Sequence, residues 1–404
     1  MIDGRDGRAQ RGAQRVVRGA VRGAARGAVR GVRRGPGAPS RYNVVMGGTR
    51  RTLVAMSGGV DSSVAAGLLA EAGEALVGVF MRNGVSGAGS QRSCCSLSDA
   101  RDARAVADRL GIPFYAVDLE RPFARLIDAF AADYARGLTP NPCIACNQEL
   151  KFGELMRLAD DLDCAAVATG HYARHLDGTL RRGVDASKDQ SYVLAGLDGG
   201  QLRRARFPIG GFTKAEVRAH ATRLGLGVAA KPDSADICFV PGGDYRAVVA
   251  ARLGDLGRTG ALVDAGDRPV GRHAGVAGFT VGQRRGLGIA LGAPAFVTEI
   301  DPESGTVRVG GRQDLLRATC RVGELRWHAE VADGATLLVQ LRHQHAAVPA
   351  RVRRAAGGDV LVAFERPCDA VTPGQWAVFY EGDRVLGAGR IRREPLSDAS
   401  TASS

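Results

Sequence analysis

Met56-Ser57-Gly58-Gly59-Val60-Asp61-Ser62-Ser63 gathers glycines, hydroxyls and a carboxylate between an apolar run (Thr52–Met56) and an Ala-rich helical pattern (Ser62–Glu71). A buried strand, a tight loop of small residues and a helix start are the parts of a phosphate cradle. Glycine lets the backbone approach an anion with no Cβ in the way. The hydroxyls of Ser57, Ser62 and Ser63 can donate to phosphate oxygens. Asp61 cannot, so its carboxylate caps the helix or helps to hold a metal ion. The pattern G-x-x-x-x-G-K-[ST] occurs nowhere in the chain.

Sulfur chemistry has its own candidates. Thr139-Pro140-Asn141-Pro142-Cys143-Ile144-Ala145-Cys146-Asn147 sets two thiols three residues apart in a proline-fixed loop, just before a helical pattern that starts at about Asn147. A thiol at a helix start feels the positive end of the dipole, which favours thiolate near neutral pH. Cys238 follows a second proline loop, Lys231-Pro232-Asp233-Ser234-Ala235-Asp236-Ile237-Cys238-Phe239. Two other readings of the C-x-x-C pair are half of a zinc site completed by Cys94 and Cys95, and a redox dithiol. Cys164, Cys320 and Cys368 read as structural thiols. Lysine is scarce, with four residues (Lys151, Lys188, Lys214, Lys231) against 51 arginines. Arginine does not replace lysine's compact, tunable charge at every site, so these four positions invite inspection.

The elements needed to hold these groups follow from periodicity. Continuous apolar runs at Thr52–Met56, Ala75–Met81, Phe114–Leu119 and Ala165–Thr169 alternate with helical patterns at Ser62–Glu71, Asp99–Leu110, Pro122–Ala135 and Gln148–Asp161. That alternation predicts an α/β fold with a doubly wound parallel sheet. Ser98 is the expected cap of the second helix, and Thr213 that of a further helix over Lys214–Leu224. After about residue 233 helical periodicity fades. Short alternating runs around Asp301-Pro302-Glu303-Ser304-Gly305 and Glu381-Gly382-Asp383 predict hairpins and a small barrel.

The formal net charge of +13 is concentrated at one end, because residues 1–45 hold eleven arginines and only Asp3 and Asp6 as acids. This Arg/Gly/Ala-rich stretch reads as a disordered basic tail or as a mis-assigned start, with Met46 the natural one. An RNA-binding tail and a transit peptide are the alternatives. Eight cysteines in 404 residues make no disulfide framework. The absence of a secretory pattern or an 18-residue apolar run sets a cytoplasmic expectation, with no membrane partner.

The glycine loop resembles the PP-loop, Ser-Gly-Gly-x-Asp-Ser, of ATP pyrophosphatases. Six segments in order, Ser57–Ser62, Asn141–Asn147, Ala168–Ala173, Lys188–Tyr192, Asp233–Phe239 and Thr280–Gly288, closely resemble the tRNA-specific 2-thiouridylase family over about residues 50–395. The resemblance implies a PP-loop catalytic unit over 46–232, a central tRNA-contacting unit over 233–311, a C-terminal β-barrel over 312–396 and a tail at 397–404. It implies adenylation of O2 of the wobble uridine, uridine-34, by ATP with Mg²⁺, followed by sulfur transfer. Cys146 would be the nucleophile and Cys238 the persulfide carrier, with a disulfide between them during turnover. Ala55, Met56, Ser57, Gly58, Gly59, Val60, Asp61, Ser62, Met81 and Gly170 would bind ATP. Asn141, Pro142 and Cys143 would face the target base. His171, Lys188, Asp189, Gln190, Arg342, His343 and Gln375 would touch tRNA. The implied partners are the tRNA anticodon stem-loop and a cysteine desulfurase or sulfur-relay protein.

Cys143 departs from family members with Asp at this position. It opens an alternative in which Cys143, Cys146 and Cys238 ligate a [4Fe–4S] cluster. Other PP-loop adenylating synthetases and an RNA-binding module with a decayed nucleotide site are further alternatives. The first has no need of the paired thiols, and the intact loop and cysteines count against the second.

Overall fold

The computed structural model describes residues 51–84, 96–233, 237–290, 292–369 and 371–393. The expectations placed on residues 1–45, on Cys94 and Cys95 and on residues 397–404 lie outside these.

Five parallel strands form the first sheet: β1 (Arg51–Ala55), β2 (Leu76–Arg82), β3 (Phe114–Asp118), β4 (Cys164–Ala168) and β7 (Ala205–Arg206), in the order β3-β2-β1-β4-β7. Side chains alternate along β1, so Leu53 and Ala55 enter one apolar cluster while Val54 and Met56 enter another. Helices α1 (Val60–Glu71) and α2 (Leu97–Leu110) cover the second cluster through Val64, Ala103 and Val106. Phe152, Leu155 and Met156 cover the first. With both faces buried, the strands need continuous apolar sequence, which is why the doubly wound sheet was legible. The strand order reverses at β1, and ligands of such sheets bind at the carboxyl ends beside that reversal.

Three local expectations change. The cap of α2 is Ser96, not Ser98: Ser96 Oγ accepts from the Asp99 amide at 3.1 Å and Asp99 accepts from the Ser96 amide at 3.1 Å. Only from Ser96 does an acid fall at the third helical position, which closes the reciprocal box. The helix expected from Asn147 begins at Pro142. Asn141 Oδ1 accepts from the amides of Cys143 (3.1 Å) and Ile144 (3.4 Å), and proline suits the first helical position. This short α4 (Pro142–Ala145) runs through a π-helical stretch, Cys146–Glu154, into α5 (Leu155–Asp161). Beyond residue 233 a helix, α7 (Tyr245–Leu253), lies where periodicity had faded; Val249 is its one buried residue. Between them, α3 (Glu120–Ala135) and α6 (Lys214–Arg223, capped by Thr213 as expected) complete the helices used below.

A second sheet joins β8 (Gly260–Val263), β9 (Pro269–His273), β10 (Phe296–Asp301) and β11 (Thr306–Gly310). The third is a closed six-stranded barrel of β12 (Arg317–Trp327), β15 (Val360–Cys368), β14 (Val348–Arg354), β13 (Ala335–Gln340), β16 (Trp376–Glu381) and β17 (Arg384–Ile391), with β17 returning to β12. Closure leaves the barrel without free edges. A hairpin of β5 (Ala173–Leu176) and β6 (Thr179–Arg182) reaches from the first unit to pair with β17. There Asp383 takes Arg174 at 2.6 Å and Arg181 at 2.8 Å.

Candidate active site

The glycine loop fills the gap between β1 and α1. Gly58 has φ +73°, and a Cβ on it would lie 2.2 Å from the Asp99 carbonyl oxygen, so glycine is required there. Ser62 Oγ accepts from the Ser57 amide at 3.1 Å and lies 3.2 Å from Ser57 Oγ. Ser63 Oγ donates to the Gly59 carbonyl at 2.8 Å. Gly59 caps α1 without a side-chain bond, leaving the helix start open to an anion. From the end of β4, Gly170 presses on the same turn; a Cβ there would fall 2.5 Å from the Ser62 amide nitrogen. Backbones meeting where no side chain fits make a cradle that suits a nucleotide's phosphates. Met81, half-buried near the end of β2, and Ala55, buried at the end of β1, belong to the apolar cluster on one face of the sheet.

Asp61 does not cap α1. Its carboxylate accepts from Tyr172 OH at 2.7 Å and from Lys214 Nζ at 2.8 and 3.0 Å. Burial, and then the Asp61 charge, push the Tyr172 hydroxyl well above the usual tyrosine range, so it stays a donor. Lys214 Nζ also meets Asp233 Oδ1 at 2.7 Å, and Lys188 Nζ meets Asp233 Oδ2 at 2.8 Å. Burial works to raise Asp233, but the two ammonium groups outweigh it and bring the carboxyl down to about 2. Lys231 Nζ donates to the Gly58 carbonyl at 3.0 Å, to Asp99 at 2.6 Å and to Asp102 at 2.5 Å. The fourth lysine, Lys151, lies 3.2 Å from His171 Nε2 beside Gly170. Lys214 and Lys231 thus touch the loop directly, Lys188 is linked to it through Asp233 and Lys214, and Lys151 stands on His171, next to Gly170. Sequence reasoning marked them by their rarity but missed Tyr172, Asp99, Asp102 and the site roles of Lys214 and Asp233.

Two of the sulfur candidates border the same apolar cluster. Cys146, half-buried at the start of the π-helical stretch, and Cys238, half-buried after the Lys231–Asp233 strap, both pack on one apolar cluster built by Phe123, Phe130, Leu150 and Phe239. Phe239 sits edge-on to Phe123 and Phe130, with centroids 5.7 and 5.1 Å apart. Cys143 is exposed in the first turn of α4, so the helix-start field acts on it more than on Cys146. Cys164, Cys320 and Cys368 are buried, and burial pushes the Cys164 thiol up to about 11. Among the described residues no three Cys, His, Asp or Glu side chains gather closely enough to hold a metal ion.

Of the residues expected to touch RNA, several are spent inside the protein. His171 is 5% exposed, with Nδ1 at 2.7 Å from Thr169 Oγ1 and Nε2 on Lys151, so burial gives it no surface for RNA. Asp189 accepts from Arg182 (2.8 Å), the Gly183 amide (2.9 Å) and the Ser191 amide (3.0 Å). Gln190 Oε1 accepts from the Tyr172 amide at 3.0 Å, steadying the tyrosine that holds Asp61. Arg342 donates to Thr372 Oγ1 within the barrel unit and to the Val281 carbonyl at 3.4 Å across the joint with the second sheet's unit. Gln375 Nε2 donates to the carbonyls of Thr139 (3.0 Å) and Pro140 (3.3 Å), tying the barrel to the loop before Asn141. Lys188 and His343 keep exposed faces, as does Cys143. A cleft of about 200 Å³ lies between α3, Asn141–Ala145 and the barrel residues Trp376 and Arg390.

A parallel sheet with a phosphate loop at its reversal defines a nucleotide-using α/β domain. Residues 50–242 match the family model described as tRNA methyl transferase HUP domain, 247–311 the tRNA methyl transferase PRC-barrel domain, and 317–391 the aminomethyltransferase beta-barrel domain. A protein of Mycobacterium sp. strain KMS described as tRNA-specific 2-thiouridylase MnmA is 50% identical over 356 residues, covering 84% of this chain and 98% of the relative. One of Rhodopirellula baltica with the same description is 43% identical over 383 residues, covering 84% and 96%. One of Rhodospirillum centenum is 46% identical over 367 residues, covering 86% and 93%. The chain belongs to the tRNA-specific 2-thiouridylase family. Among the described residues no helix is long and apolar enough to cross a membrane.

Proposed function

We propose that the protein catalyses ATP-dependent 2-thiolation of uridine-34 in tRNA. The observation that carries this reading is that Cys146 and Cys238 pack on one cluster, while Asp233, five residues before Cys238, is paired through Lys214 to the phosphate-loop Asp61. Activation and sulfur delivery thereby share one neighbourhood.

In this reading the loop Ala55–Ser62, with Met81 and Gly170, binds ATP and aligns its α-phosphorus with O2 of the uracil. Attack by O2 forms the adenylated base and expels pyrophosphate. Mg²⁺ would bind the phosphates with Asp61 as its protein carboxylate, and it supplies charge neutralisation as that bond splits. Cys238 carries a persulfide whose outer sulfur attacks C2. The Cys146 thiolate takes the inner sulfur, forming the Cys146–Cys238 disulfide, and AMP departs with the oxygen. A thiol reductant restores both cysteines. Asn141, Pro142 and Cys143 border the base, and Lys188 and His343 offer RNA contacts. His171, Asp189, Gln190, Arg342 and Gln375 position the elements that do so. The unit 46–232 activates the base, 233–311 supplies Cys238 and contacts RNA together with 312–396, and a cysteine desulfurase or relay protein supplies sulfur to Cys238 in the cytoplasm.

The test is reconstitution with ATP, Mg²⁺, a persulfide donor and unmodified tRNA, with nucleoside analysis by mass spectrometry. 2-Thiouridine must appear, and must vanish with Cys238→Ser. Full thiolation by that variant overturns the sulfur mechanism.

A further inference from the structure

One carboxylate at the mouth of the phosphate loop is gripped by three cations. Asp233 Oδ1 accepts from Lys214 Nζ at 2.7 Å and from Arg218 at 3.1 Å, while Oδ2 accepts from Lys188 Nζ at 2.8 Å. Lys214 holds Asp61 with the same ammonium and is 14% exposed. Asp185 completes the set by accepting from the Lys214 backbone amide at 2.9 Å. The three cations thus face three acids, Asp61, Asp185 and Asp233. An anion whose two oxygens are shared among converging N–H donors is bound as phosphate is bound, and a multiply charged phosphate takes such donors more strongly than a carboxylate does.

We infer that Lys188, Lys214 and Arg218 form the subsite for the pyrophosphate leaving group, with the Asp233 carboxylate as its internal competitor. The inference rests on the proposed cleavage of ATP between its α and β phosphates. It assigns Lys214 to catalysis directly, since its ammonium already lies one carboxylate from the loop. Lys188, offered to RNA through its exposed face in the proposed function, is in addition a phosphate ligand.

The competition has a consequence for order. The strap Lys231-Pro232-Asp233 is held at three points. Lys231 Nζ sits on the Gly58 carbonyl, Asp99 and Asp102, Arg218 donates to the Lys231 carbonyl at 3.1 Å, and Asp233 sits on the cation cluster. Pyrophosphate that takes the cations removes the Asp233 anchor, and Cys238 lies five residues on. Bound ATP brings the same β and γ phosphates to these cations, so Asp233 is displaced once the nucleotide is in place, and sulfur delivery waits for the nucleotide. A persulfide held back until ATP is bound is protected from wasted attack.

The experiment is calorimetric titration of the full chain with inorganic pyrophosphate. Asp233→Asn, nearly isosteric, removes the competing charge and should tighten pyrophosphate about fivefold. Lys214→Ala should weaken it about tenfold or more and Lys214→Arg should restore part of that, while AMP affinity moves less than about twofold in all three. Unchanged or weaker pyrophosphate binding by folded Asp233→Asn overturns the inference. A second readout uses the wild-type chain alone: pyrophosphate should speed alkylation of Cys238 by iodoacetamide about threefold, followed by peptide mass spectrometry. No acceleration also overturns it. A chain that thiolates tRNA but binds pyrophosphate equally with and without the Asp233 charge loses this subsite and keeps its function. A chain that shows the tightening but makes no 2-thiouridine loses the function and keeps the subsite.

Discussion

A Cβ on Gly170 would lie 2.5 Å from the amide nitrogen of Ser62. The loop leaving β4 is therefore stacked directly on the first turn of α1, and the obstacle is backbone, which cannot rotate away. Gly170→Ala should push the two apart, at an overpacking cost of about 1–3 kcal/mol. ATP affinity should fall about tenfold, measured by equilibrium dialysis, with the far-ultraviolet circular dichroism unchanged. Wild-type affinity in the variant would mean that the loop and turn separate freely.

Much of this arrangement was legible because local signals agreed with the fold. Leu53 and Val54, both fully buried, lie on opposite faces of β1, so an unbroken apolar run marked a central strand. Gly58 and Gly59 after that run marked the cradle. The Asp61–Lys214–Asp233 relay was not legible, since its members lie 153 and 19 positions apart and meet only through the sheet's topology. Asn141-Pro142 reads equally as a turn and as a helix cap followed by its first residue; the Asn141 side chain decides for the cap. His171 stands after a strand end, where function is expected, yet Thr169 and Lys151 take both its nitrogens.

Separation of the two half-reactions tests the cysteine roles. Cys146→Ser and Cys238→Ser should each abolish 2-thiouridine while tRNA-dependent pyrophosphate release continues, because adenylation precedes sulfur transfer in the proposed sequence of steps. Cys143→Ser should keep thiolation within about threefold of wild type, and anaerobically purified protein should hold no stoichiometric iron. Loss of thiolation in Cys143→Ser together with bound iron would replace the persulfide roles with cluster ligation.

Asp133 on α3 accepts from Arg390 of β17 and from Arg136, and Asp133 and Arg390 are both largely buried. This pair is part of what holds the barrel to the catalytic unit, together with Gln375 on the Thr139–Pro140 carbonyls. Arg390→Met keeps the length of the side chain but strands a buried carboxylate with one exposed partner. Breaking a buried pair from one side costs about 3–5 kcal/mol, so the urea midpoint should drop clearly, and Asp133→Asn combined with Arg390→Met should recover part of the loss. A midpoint unchanged in the single variant would show that the barrel docks without this pair.

Burial first, and the Lys151 ammonium second, hold His171 neutral with its pKa well below the usual value. An unfolded histidine takes up a proton below about pH 6.5, while folded His171 does not, so the unfolded state binds more protons there. Stability must then fall as the pH drops below that value, by up to about 1.4 kcal/mol per pH unit from this residue. His171→Gln removes the titration. The variant should be less stable at pH 7.5, having lost the bond to Thr169, yet its stability should decline less steeply between pH 6.5 and 5.5 in urea melts. His175, His273, His328 and His343 are also lowered, chiefly by burial. They are present in both proteins, so their contribution cancels in the difference of slopes. Parallel slopes would mean that His171 accepts a proton within the fold, and that the turn beneath the phosphate loop tolerates a second positive charge beside Lys151.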